Sequence, residues 1–186
     1  TGVYVFDPAS PHLLLDRITG LSTPSFNTFG PNGNLYVSDY SSNTVVQYQK
    51  STWAPVGDYC SLPSNTPPDL PANGLTGIGF GKDGKLYMGA DAKYSFVFDG
   101  TNATLLKDMN EYVVRGVAVG GDGIVYIASN QGADASAPRQ GVILRYNPNT
   151  GQWLPSWAVA AGNPSGLAFG PDANGDGASD LYIADS

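Results

Sequence analysis

The sequence predicts an all-β protein, a β-propeller of four four-stranded blades. Three observations carry the prediction: one unit recurs four times, each copy opens on a short hairpin, and a second hairpin follows at roughly 40–55 residue spacing. The composition suits it. The 186 residues include 24 Gly and 14 Pro, so the chain turns often, and aromatic and β-branched residues fill the stretches between turns.

The first hairpins read "SFNTFGPNGNLYVSD" from Ser25, "TGIGFGKDGKLYMGAD" from Thr76, "RGVAVGGDGIVYIASN" from Arg115 and "SGLAFGPDANGDGASDLYIAD" from Ser165. Each is a small or apolar run closed by Gly, a polar turn, and then Leu or Val before Tyr. Asn32-Gly33, Asp83-Gly84 and Asp122-Gly123 tolerate the positive φ of a tight turn. The second hairpins are "VVQYQKSTWAPVGDY", "SFVFDGTNATLLKDM" and "VILRYNPNTGQWLPSWAV". Tyr36, Tyr87, Tyr126 and Tyr182 are expected in the core between blades. Trp53, Trp153 and Trp157 fall on or beside the outermost strands, where an aromatic packs between sheets.

Residues 21–60, 75–110 and 111–162 form three blades, with a Pro-rich linker at 61–74. The fourth blade is split: 163–186 holds its first hairpin and 1–20 its second. Joining Ser186 to Thr1 gives "LYIADSTGVYVFDPASPHLLLDRI", which continues the unit without a gap. Two geometries satisfy this. The termini meet within one chain as a closed ring, the preferred expectation, or a neighbouring copy completes the blade by head-to-tail strand addition. A contact of the second kind that does not close grows into a filament.

Charge excludes one class of partner. Nine basic against sixteen acidic residues give a net charge of −7, with no basic stripe for a nucleic acid. No apolar run is long enough for a transmembrane helix. The chain begins at Thr with no visible signal peptide and is expected to be a processed or excised piece. Its composition points to an extracellular, secreted or cell-surface setting. Cys60, a single cysteine, is expected to be a buried or incidental thiol.

The units resemble NHL-type repeats of secreted bacterial propellers, most closely in "GLAFGPD", "GVAVGGDGIVYIAS" and "VILRYNPNTGQWL"; Phe26 departs from the usual Gly. The resemblance implies a propeller and no particular activity. Two insertions, Ser61–Gly74 and Asn130–Gly141, break the period as exposed connections or binding loops.

The fourth copy carries six extra residues, which turn its hairpin loop into Asp172-x-Asn174-x-Asp176-Gly177-x-x-Asp180. Oxygen side chains at alternate loop positions, with Gly for the bend and the Ala178 carbonyl, are the donors a hard cation such as Ca²⁺ takes. The plain alternative is a solvated acidic turn, in which three close carboxylates repel one another. The stretch is also similar to the calcium loops of FG-GAP-type repeats. That resemblance implies side-chain ligands at Asp172, Asn174, Asp176 and Asp180 and a backbone ligand at Ala178.

Gluconolactonase-like and streptogramin-lyase-like propellers make an enzyme the rival reading. The resemblance to them implies a channel cation or a His base, and this chain offers only His12, in a peripheral turn, and Glu111, in a connector. The channel candidates are Asn27, Thr28, Thr76, Arg115 and Ser165, with Arg115 a candidate for an anionic ligand at the channel mouth. No Ser-His-Asp set assembles without His12, so the expectation is a protein that is not an enzyme. Asn102-Ala103-Thr104 is a glycosylation sequon. The function expected is an extracellular, calcium-stabilised structural or interaction scaffold whose partner is itself, another extracellular protein or a glycan. The alternatives are a glycan- or small-ligand-binding propeller and, less favoured, a lactonase- or lyase-like enzyme.

Overall fold

The computed structural model describes every residue except 10, 64–73, 91–92, 109–111, 132–139, 159–161 and 186. The described residues form strands only. Three sheets are whole blades of four antiparallel strands: β3 (Pro24–Phe29) to β6 (Pro55–Ser61), β7 (Leu75–Phe80) to β10 (Ala103–Asp108), and β11 (Tyr112–Val119) to β14 (Gln152–Ala158). Between them lie β4 (Leu35–Asp39), β5 (Thr44–Tyr48), β8 (Leu86–Ala90), β9 (Tyr94–Phe98), β12 (Val125–Gln131) and β13 (Gln140–Asn147). Two further sheets have two strands each: β1 (Val3–Phe6) with β2 (Leu14–Ile18), and β15 (Pro164–Phe169) with β16 (Leu181–Asp185). The architecture is an all-β propeller.

Local chemistry explains the tight hairpins. Gly33, Gly84 and Gly123 hold φ of 77°, 78° and 81°, a conformation that costs an L side chain energy and costs glycine none. In each turn the preceding Asn or Asp accepts the amide two residues on, Asn34 N to Asn32 Oδ1 at 3.0 Å being the first case. That Asx geometry closes the turn before any tertiary contact forms.

The strands β3, β7, β11 and β15 pack side by side as the inner layer. Small hydroxyls staple neighbouring blades there: Ser38 Oγ donates to the Thr76 carbonyl at 2.8 Å, and Thr76 Oγ1 donates to the Val114 carbonyl at 3.3 Å. The apolar core lies in the seams between sheets, not within any one blade. One cluster joins Tyr36, Val45 and Cys60 of the first whole blade to Leu86, Met88, Phe96 and Phe98 of the second. Others join the second blade to the third, β1–β2 to the first, and the third to β15–β16. Cys60 is buried beside Met88, and desolvation pushes its thiol up to about 12, so it stays an unreactive thiol at neutral pH.

The expectation of a ring closed within one chain is corrected. Among the described residues β1–β2 and β15–β16 are separate sheets with no ladder between β16 and β1. The inner-strand packing runs β3·β7, β7·β11 and β11·β15, with no comparable packing of β15 on β3.

Candidate functional site

The seams repeat one aromatic joint. In each copy a glycine closes the first strand and the blade tyrosine lies flat over it. A Cβ at Gly30, Gly81 or Gly170 would stand less than 3.0 Å from the ring of Tyr36, Tyr87 or Tyr182, and one at Gly120 would press on Tyr126 and Phe169 at 3.1 Å. In two seams the ring also meets the aromatic that ends the next inner strand: Tyr36 meets Phe80 at 4.7 Å between centroids and Tyr126 meets Phe169 at 5.1 Å, both near edge-to-face, while Tyr87 meets Tyr146 of the next blade at 6.1 Å. That geometry is favoured by the ring quadrupoles. The turn residue anchors the ring's outer end. Asn32 donates to the Tyr36 hydroxyl, while the hydroxyls of Tyr87 and Tyr126 donate to Asp83 and Asp122 at 2.9 Å. Burial, above all, pushes these three phenols up.

A second layer of rings lies further out. Tyr59 on β6 packs on Tyr36 at 4.7 Å and on Phe98 at 5.1 Å. Trp157 on β14 holds the same place in the third blade, 5.6 Å from Tyr126. The Arg145 guanidinium lies 4.3 Å over Trp157 and donates to the Pro155 carbonyl, which fixes the indole. Sequence reasoning placed Trp157 between sheets but missed its equivalence to Tyr59, although the signal is local: Trp157 follows Tyr146 at the same spacing as Tyr59 follows Tyr48.

At the half-blades the joints are unmade. Tyr36, Tyr87 and Tyr126 are 2–6% exposed, whereas Tyr182 is 51% exposed, a correction to its expected burial. Phe29, which stands where Phe80 and Phe169 stand in their blades, is 60% exposed. Phe6 and Tyr4 on β1 are also half exposed or more. Two recesses mark the same ends. One of about 320 Å³ lies between Gly2–Tyr4 and Pro24–Asn27; the other, of about 610 Å³, is lined by Tyr126, Trp157, Phe169 and the 176–181 segment.

The acidic loop before β16 is exposed and organised by its own carboxylates. Asp172 accepts the amides of Gly175, Asp176 and Gly177, and Asp180 accepts those of Ala173 and, through its side chain, Asn174. Asp176 accepts the amide of Ala178. The Gly177 N–H, with Gly175 and Asp176 adding to it, holds the Asp172 carboxyl below the usual carboxylate range. The donors are all oxygen, which suits Ca²⁺ and not a soft metal. As arranged, the carboxylates face amides, and no group of three acidic, His or Cys side chains among the described residues stands in metal-holding geometry.

Of the channel candidates, Asn27, Thr28, Thr76, Arg115 and Ser165 all lie on the inner strands, as sequence spacing placed them. Thr76 is spent on its staples, and Ser165 Oγ donates to the Ala184 carbonyl at 3.3 Å. Arg115 is half-buried on β11, with its carbonyl facing Gly77. His12 is exposed in the β1–β2 turn at φ 59°. Asn102 is exposed in the turn between β9 and β10. Glu111, residues 64–73 of the linker and 132–139 of the second insertion lie outside the described residues. The acid that ends the motif is structural: Asp39, 4% exposed, accepts the amides of Ser22 and Thr23, and Asp185 accepts that of Asn163.

No family model matches the chain, and no curated protein matches it. Solved structures share its fold. A streptogramin B lyase superposes with a TM-score of 0.62 at 17% identity, covering 97% of this chain and 58% of the lyase. The virginiamycin B lyase of Staphylococcus aureus gives 0.59 at 12% identity, with 97% and 70% covered. An auxiliary nutrient binding protein from Bacteroides ovatus gives 0.62 at 16% identity, with 91% and 44% covered. The chain thus spans between 44% and 70% of their lengths, and the likeness is one of fold. It corrects the expectation that the chain is not an enzyme. Two of these three propellers are lyases, so the architecture carries catalysis, and the lack of a Ser-His-Asp set excludes only that mechanism. No helix among the described residues is long and apolar enough to cross a membrane.

Proposed function

We propose that the chain is an NHL-like propeller scaffold, extracellular, whose two half-blades are completed by a second copy through head-to-tail strand addition. One observation carries the reading: among the described residues β1 and β16 each have a free edge, where the second and third strands of every whole blade are paired. The register of that pairing is constant. Leu35 stands opposite Tyr48, Leu86 opposite Phe98 and Val125 opposite Tyr146. Applied to the open edges, it sets Leu181 opposite Phe6, Tyr182 opposite Val5 and Ile183 opposite Tyr4, with every side chain on the face its blade requires. An unpaired, partly apolar edge is a template for strand addition.

Hydrogen exchange tests the reading. At low protein concentration the outward amides of Val3–Phe6 and Leu181–Asp185 are expected to exchange freely. At high concentration they reach the protection of β4 and β5. Free exchange at every concentration contradicts strand addition.

In the same reading Ca²⁺ sits in the Asp172–Asp180 loop, with Asp172, Asn174, Asp176, Asp180 and the Ala178 carbonyl turned from amides to the ion. Its role is to stiffen the hairpin that presents β16. At free Ca²⁺ about 100-fold above Kd, binding adds about 2.7 kcal/mol of stability. A chelator is expected to lower the thermal midpoint accordingly, and an unchanged midpoint removes calcium from the account.

A further inference from the structure

The geometry points to a particular aromatic seam between copies: Phe6 of one copy seats in the cleft of Tyr126, Trp157 and Phe169 of another, and Tyr182 closes on Phe29. This rests on the assembly reading and adds the surface by which copies recognise each other.

The argument is an equivalence within the molecule. In the seam between the first and second whole blades, Tyr36 is flanked by Tyr59 and Phe80, and Tyr59 meets Phe98 of the next blade. The third blade and β15 repeat the first part of this set, with Tyr126 between Trp157 and Phe169. The ring that should follow, in the place of Phe98, is missing, and the recess of about 610 Å³ lies there. Phe98 is opposite Leu86 in its blade and 6% exposed. The residue whose register sets it opposite Leu181 is Phe6, which is 56% exposed, and Trp157 beside the recess is 41% exposed. The ring that fits the cleft stands on β1, and pairing β1 of a second copy with β16 in the register of the whole blades brings it there.

The inner joint gives the same answer independently. A Cβ built on Gly30 would press on Tyr36 and stand 3.1 Å from Phe80, and one built on Gly120 would stand 3.1 Å from both Tyr126 and Phe169, so each glycine lies where the two rings meet. At Gly170 the three nearest atoms all belong to Tyr182, with no ring of a following blade among them, and Tyr182 is 51% exposed. The aromatic that ends the inner strand of the following blade is Phe29 on β3, and it is the exposed one. Two unmade contacts, one on each layer, therefore match across one head-to-tail interface, and both repeat contacts the chain already makes internally. Val3 and Val5 occupy the other face of β1, packed on the first blade, which leaves Phe6 facing outward beside Tyr4, whose ring carries the Arg17 guanidinium at 5.3 Å.

Disulfide trapping tests the seam, with the dissociation constant as a second readout. Mixing Phe6→Cys with Leu181→Cys chains under mild oxidation is expected to give a crosslinked species of twice 19.4 kDa, absent when either variant is oxidised alone. Cys60 is buried and does not interfere. Phe6→Ala, exposed and harmless to the fold of one chain, is expected to raise the dissociation constant of self-association by about 30-fold or more, the effect of a central interface aromatic. Leu105→Ala, an exposed change on β10 away from both half-blades, leaves it unchanged. Association that gives no mixed disulfide, or that ignores Phe6→Ala, overturns the seam while the assembly reading stands. A chain that never associates overturns both.

Discussion

Gly77→Ala is expected to cost about 3 kcal/mol or more and to lower the melting midpoint by about 6–12 °C, the scale for a chain of this size. Gly77 lies on β7 where the second blade touches the third. A Cβ there would stand 2.7 Å from the Gly116 carbonyl carbon, and closer still to the Arg115 oxygen and the Val117 nitrogen. All three are backbone atoms of β11, so no side chain can swing aside, and the blades must separate. Gly116 repeats the contact against the Ser165 carbonyl at 2.6 Å. Because total stability is about 5–15 kcal/mol, this one methyl removes a large share of it. Chemical denaturation of Gly77→Ala and Gly116→Ala beside a Gly84→Ala control, which meets no atom but holds a strained φ of 78°, separates the steric cost from the backbone cost.

Phe96→Ala is expected to cost about 3–5 kcal/mol. Phe96 is fully buried in the seam cluster with Leu86, Met88 and Tyr94. Its removal leaves a cavity between two blades, each held in place by the other. Phe6→Ala deletes the same side chain from a position 56% exposed and changes the stability of a dilute single chain by less than about 1 kcal/mol. The contrast separates rings that hold the chain together from rings that hold copies together. Equal losses in dilute solution contradict it.

Much of this was legible in the sequence because it is local. The Asn-Gly and Asp-Gly turns carry their own backbone requirement, and the Gly…Tyr spacing recurs because the ring must cover a residue without Cβ. Closure was not legible. It depends on the angle between sheets, which is set by contacts such as Gly77 against β11 that no repeat motif spells out. The exposure of Tyr182 follows from that: its motif is intact, and what it lacks is the following blade. The acidic loop was readable as a set of oxygen donors but not as an arrangement, since Asp172 and Asp180 also satisfy amides of their own loop. The exclusion of catalysis failed for a different reason. The absence of one residue set, with His12 in a peripheral turn, rules out a mechanism and not a class of function.

The central claim is that a second copy completes the split blade. The most direct test is the mass of the purified chain in solution, by sedimentation or light scattering, as its concentration rises. The account predicts species at multiples of 19.4 kDa that lengthen with concentration and dissociate on dilution. A single species of one chain at every concentration would contradict it.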